Sequence, residues 1–237
     1  MLRKIIQIVS ISTLVYSCNS SSQKNEIHDI QIAGAMKNVM WKGELDGIID
    51  LDTLDRKKGL FGIGPQSGLK GEILINNGDI YVSKVISDTT MSVEKNHKVS
   101  APFFVYGNVE KWYDGKLQTI ESNRDVEAYL TEEFEKINKP FVFKIIGKIE
   151  SATIHIQNLP ENSKVSSPKD AHVGQINYSL ENEKVEVIGF YSKEHQGIFT
   201  HHNSYIHMHL ITDDGNKMGH LDELNMHDAT ILLPFKS

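Results

Sequence analysis

Apolar positions along this chain follow a helical rhythm in two places and an alternating rhythm in most others. Ile32, Met36, Val39 and Met40 fall at helical spacing ahead of Gly43, which predicts a short helix near the start of the folded part. Chain-reversing residues crowd positions 60–69, and two β-rich runs then flank Asn77-Gly78, the pattern of a hairpin. The best helical segment is 126–138: Val126, Tyr129, Leu130, Phe134 and Ile137 keep i, i+3, i+4 spacing, Ser122 and Asp125 suit a capping box, and Pro140 follows. Beyond it, short β-rich runs at 141–146, 152–157, 185–191, 205–211 and 230–233 are separated by Gly, Pro, Asn and Asp. The fold expected is α+β, with N-terminal helices on a mixed sheet over 27–140 and a mostly antiparallel β half over 141–237. No internal repeat or second composition shift divides these halves into separate domains.

The extreme N-terminus has a different pattern. Met1-Leu-Arg-Lys is basic, and an apolar stretch of about 12 residues follows, short of the ~20 that cross a bilayer as a helix. Leu14-Val-Tyr-Ser-Cys18 resembles a bacterial lipoprotein signal, so residues 1–17 are expected to be removed and Cys18 to carry lipid. An ordinary cleaved signal is the alternative. Residues 18–26 are polar and of low complexity, as suits a tether, and the folded domain is expected over 27–237. The location implied is the bacterial cell envelope, on the periplasmic or extracellular side, with membrane contact only through the lipid. Cys18 is the single cysteine, so the domain must rely on packing rather than disulfides.

Charge narrows the function. Lys and Arg total 25 against 31 Asp and Glu, a net charge of −6, which offers no basic field for nucleic acid. Only three of the cations are Arg (Arg3, Arg56, Arg124), and Arg is the usual bidentate clamp for carboxylates. Histidine is concentrated instead: nine of the 11 lie from His155 onward.

Within a strand, residues i and i+2 share a face, so His207 and His209 project together while Ile206, Met208 and Leu210 face the core. Asp213-Asp-Gly-Asn allows the chain to double back, and His220 then falls where an antiparallel neighbour supplies a third imidazole. Three histidines with an open fourth position is the catalytic zinc arrangement, although imidazole also suits Cu, Fe and Ni. A lone His-x-His would be a weak signal; the turn and the third histidine strengthen it. His201 and His202 are adjacent, so at most one of them lines the same pocket. A cupin-like site is disfavoured, because Asp213 is too short for that motif's Glu and no second His-bearing motif follows.

These residues resemble the α-acetolactate decarboxylase family. The resemblance rests on the His207, His209 and His220 spacing with Met218-Gly219-His220, and on the run from Val187 through Gly189 and Phe190 to Gly197-Ile198. It extends to Gly43-Glu-Leu-Asp-Gly47, Phe61-Gly-Ile-Gly64, Leu69-Lys-Gly-Glu72 and Ala101-Pro-Phe103, and covers roughly 35–234. It implies that Glu72 takes the place of a catalytic glutamate and that His207, His209 and His220 bind zinc or another divalent transition metal. Departures accompany it. Counting from Gly147 places His155 where the family carries an Arg, Pro65-Gln66 replaces Thr-Phe, and the family's second glutamate falls beyond Ser237.

The activity implied is decarboxylation of 2-acetolactate, a 2-hydroxy-3-oxo acid, to acetoin and CO2. A zinc Lewis acid would stabilise the enediolate left behind, Glu72 would supply the proton, and His155 would stand across the pocket as a cation for the substrate carboxylate. The alternative is a non-catalytic metal-binding lipoprotein that keeps the three histidines. The partner expected is this small molecule; a homodimer is compatible with the sequence.

Overall fold

The computed structural model describes residues 29–55 and 58–237; Cys18 and the expected signal and tether lie outside them. The first half contains β1 (Gln31–Gly34), α1 (Met36–Lys42), β2 (Ile49–Asp50), β3 (Leu60–Pro65), β4 (Glu72–Asn76), β5 (Asp79–Ser87), β6 (Thr90–Lys95), β7 (Ser100–Ala101), β8 (Phe103–Asn108) and β9 (Tyr113–Asp114). The second contains α2 (Asn123–Ile137), β10 (Phe141–Ile156), α3 (Pro168–Ala171), β11 (Ile176–Glu181), β12 (Lys184–Tyr191), β13 (Ile206–Thr212), β14 (Met218–Met226) and β15 (Thr230–Leu233).

Six strands form one sheet in the order β1-β8-β3-β4-β5-β6, and each pairing along it is antiparallel. The second sheet is built around β10. Its first half pairs with β12 and β15, its second half with β14 and β11, and β13 joins β12 to β14, so the sheet closes on itself. Register shifts between Ile149 and Ser151 and between Thr153 and Ile154 let one long strand serve both sides.

This architecture corrects the expected α+β layering. The molecule is mostly β, its first sheet is antiparallel rather than mixed, and the seven-residue α1 is the one α-helix described before β9. The longer helix, α2, does not cover the first sheet. Its stripe of Val126, Leu130 and Phe134 is buried with Phe143, Ile154, Tyr191 and Leu224 of the second sheet. Each such side chain contributes about 1.5–3 kcal/mol when removed from water. The first sheet packs instead on the second, through a layer that joins Phe61, Ile63, Leu74 and Val105 to Val142, Ile188, Phe190 and Ile211.

Local chemistry fixes the ends of these elements. Gly43 takes φ 65 at the end of α1, a left-handed conformation that glycine adopts without strain. Asn77 and Gly78, with φ 54 and 91, turn β4 into β5. At the start of α2 the Ser122 backbone N–H donates to the Asp125 carboxylate at 2.9 Å.

Candidate metal centre and catalytic cavity

Alternation along β13 sends Ile206, Met208 and Leu210 into the core of the second sheet and turns His207 and His209 toward the first. The turn after Thr212 closes with Lys217 N–H and Thr212 Oγ1 at 3.1 Å, and β14 returns antiparallel with His220 opposite His209. On its other side His220 lies opposite His155 of β10. Three neighbouring strands therefore present His209, His220 and His155 in one row. Gly219 makes this row possible: a Cβ there would stand 2.6 Å from the His155 carbonyl oxygen.

One ligand nitrogen each from His207, His209 and His220 lies within 4.8 Å of the others. His207 Nε2 and His220 Nδ1 are 3.1 Å apart, close to the ligand spacing of about 3.3 Å that a tetrahedral ion with metal–nitrogen distances of ~2.0–2.1 Å requires. All three rings are buried, and His209 Nε2 has no partner at hydrogen-bond distance. Burial and mutual repulsion hold His207 and His220 well below the ordinary histidine range, and burial, with His155, takes His209 down to about 3. Neutral imidazoles with one nitrogen each gathered within 4.8 Å are what a transition metal needs, so the residues fit such an ion.

Glu72 opens β4 and reaches this centre from the first sheet. It is 2% exposed, its Oε2 lies 3.6 Å from His209 Nε2, and its Oε1 accepts from the Gln157 backbone N–H at 3.2 Å. Burial pushes its pKa well above the carboxylate range, against the pull of the Gln157 N–H, with the charge of Asp222 adding to the rise. His155 is also buried, and its Nδ1 contacts the two oxygens of Asp222 at 2.9 and 2.8 Å.

The structure thus brings Glu72, His155, His207 and His220 to one small cavity of about 30 Å³, with His209 behind them. His201, not His202, is the one of that adjacent pair that lines the cavity, and three residues join that the sequence reading did not assign: Gln157 and His172 line the cavity, and Asp222 faces His155 and His220. Two of them were accessible to the alternation rule, since Gln157 is two residues from His155 and Asp222 two from His220. His172 follows α3 in a segment without periodicity. Met36, Met40, Pro65, Leu69 and Phe103 form the apolar remainder, and no Lys or Arg lines the cavity among the described residues. A separate cavity of about 220 Å³ reaches His201, His207 and His220 from the side of Asn123, Asn203 and Ser204.

The family model for alpha-acetolactate decarboxylase matches residues 22–234. The chain belongs to that family. The alpha-acetolactate decarboxylase of Brevibacillus brevis is 24% identical over 197 residues, covering 82% of this chain and 66% of that protein, just under two thirds of its length. The Bacillus subtilis (strain 168) protein of the same name is 24% identical over 222 residues, covering 92% of this chain and 82% of that protein. The crystal structure of alpha-acetolactate decarboxylase from Bacillus subtilis strain 168 shares the fold with a TM-score of 0.71 at 21% identity, covering 86% of this chain and 85% of that one. At these identities the family and fold are shared while individual side chains need not be.

Proposed function

We propose that this protein is a metal-dependent acetolactate decarboxylase that converts 2-acetolactate to acetoin and CO2. The observation that carries the reading is a buried Glu72 carboxylate, held by the Gln157 N–H, 3.6 Å from one of three converging imidazoles, in a chain of this family. His207, His209 and His220 would hold the ion, with Zn2+ favoured by an all-imidazole set and an open fourth position. When bound, the metal supplies a Lewis acid that withdraws charge from substrate oxygens.

The protein's own groups do the rest. Net conversion of the acetolactate anion to acetoin and CO2 consumes one proton, delivered where the C–C bond breaks. Glu72 is built to hold that proton: the Gln157 N–H fixes Oε1, leaving Oε2 as the atom on the metal side, and burial raises its proton affinity. His155, aimed by Asp222, faces the cavity as the group for the substrate carboxylate where the family carries an Arg. Met36, Met40 and Phe103 exclude water. A cavity of about 30 Å³ holds one water-sized group, so a five-carbon acid enters with the flexible Met36 and Met40 side chains displaced.

The absence of Lys and Arg from the described cavity lining favours a second reading, a metal-binding protein without turnover. Acetoin release from 2-acetolactate, measured with zinc added and then with a chelator, separates them. Chelator-sensitive acetoin supports the enzyme, and no turnover with one equivalent of zinc retained supports the binder. We place either activity on the outer side of a bacterial membrane, anchored by lipid at Cys18. Cys18→Ala is then expected to move the protein from the membrane fraction to the soluble one.

A further inference from the structure

The outer nitrogen of His220 faces a second set of donors. Its Nδ1 is turned to His207, while its Nε2 lies 3.4 Å from His201 Nε2 and 3.8 Å from Asp222 Oδ1. Asp222 in turn contacts His155 Nδ1 at 2.9 and 2.8 Å, and one ligand atom each from His155, His220 and Asp222 lies within 4.8 Å of the others. These separations bracket the edge of about 3.3 Å expected between ligands of a tetrahedral ion with ~2.0–2.1 Å bonds. We propose that His155, Asp222 and the outer nitrogen of His220 form a second site for a divalent transition cation, with His220 bridging it to the three-histidine centre and His201 beside it.

The donor chemistry supports this assignment. Two imidazole nitrogens that face each other at 3.4 Å need a proton or a cation between them, and the His201–His220 pair adjoins a carboxylate that supplies compensating charge. Two imidazoles and one carboxylate suit Zn2+ or Cu2+ and not Mg2+ or Ca2+, which require oxygen ligands. A cation also has a route. His201, His220 and Asp222 line the 220 Å³ cavity, and Asp222 keeps 31% of its side chain exposed. Binding displaces the Nε2 proton of His220 to solvent, leaving that ring joined to a cation at each nitrogen. The competing arrangement is simpler: Asp222 accepts hydrogen bonds from His155 and His220 and holds no ion.

The inference rests on the three-histidine reading through His220 alone, and metal counting distinguishes the two. The full chain, purified in detergent and stripped by chelator, is saturated with Zn2+ and the bound metal measured. Two equivalents are expected for the wild type and one each for Asp222→Ala and His155→Ala, while His209→Ala loses the first ion and keeps the second. Asp222→Asn guards against a folding defect, since it retains the shape and an acceptor for His155. It should weaken the second equivalent on the order of tenfold or more without altering the first. With Co2+ in both positions, an exchange-coupled paramagnetic signal is expected that Asp222→Ala abolishes. A wild type saturating at one equivalent, unchanged in Asp222→Ala and lost in His209→Ala, would overturn the second site and leave the first standing. A wild type that binds no metal overturns both.

Discussion

Glu72 is placed where its charge is least welcome, and that gives its substitution two opposite effects. A folded-state pKa raised above the ordinary 4.5 means that the stability contribution of the protonated carboxyl is fully present below pH 4.5 and is lost as pH rises through the folded value. Glu72→Gln keeps an acceptor for the Gln157 N–H and removes the buried charge. In the metal-free protein it is expected to raise stability at pH 7.5 by about 1–3 kcal/mol, the penalty typical of a buried unsatisfied polar group. The gain should be smaller at pH 6, still above the acid transition of the metal-free protein, because protonation of the native carboxyl removes the buried charge there. Denaturant unfolding at the two pH values checks this. The same variant should lose at least about a hundredfold in acetoin formation, the usual worth of a general acid, while retaining its zinc. Unchanged turnover would remove Glu72 from the proton-delivery role.

At the scale of elements, the centre depends on how closely β14 lies against β10. Gly219 has no room for a side chain: a Cβ meets the His155 carbonyl at 2.6 Å, and that backbone atom cannot rotate away. Gly219→Ala is expected to cost about 1–3 kcal/mol by overpacking and to weaken zinc binding, because β14 must move with His220 on it. A urea midpoint and a zinc titration on one preparation check both effects. The hairpin that carries the histidines was legible in advance: alternation placed His207 and His209 together, and the Asp213–Gly215 turn placed His220 opposite them. So were α2 and the turn at Asn77-Gly78, because capping and turn residues act locally, and α1 from Met36 on, although Ile32, read into the same helix, lies in β1. What the sequence hid was nonlocal. The runs at 141–146 and 152–157 are one strand, since the intervening residues bulge without breaking the ladder. The partner of α2 and the contact between Asp222 and His155, 67 positions apart, depend on how the second sheet closes, which no local pattern encodes.

For the molecule as a whole, the buried imidazoles make stability depend on both acid and metal. The folded-state pKa values of His207, His209 and His220 lie below the ordinary 6.5. The unfolded chain therefore binds protons first as pH falls. Their contribution is complete above pH 6.5 and is lost on acidification from there toward the folded values, about 3 for His209. Each such group supplies a slope of about 1.4 kcal/mol per pH unit, so three together approach ~4 kcal/mol per unit below pH 6. The metal-free protein should thus unfold steeply between pH 6 and 5, and replacing the three histidines with Gln should flatten that dependence. Zinc bound to the neutral rings of the folded state would add about 2.7 kcal/mol at a hundred times its dissociation constant. A chelator should then lower the melting temperature at pH 7.5 and move the acid transition to higher pH. An acid transition unaffected by the triple Gln replacement would mean that these rings are not buried neutral in the folded chain. Both the three-histidine centre and the raised proton affinity of Glu72 depend on that burial, because the closed contact between the two sheets excludes the water that would otherwise ionise each group.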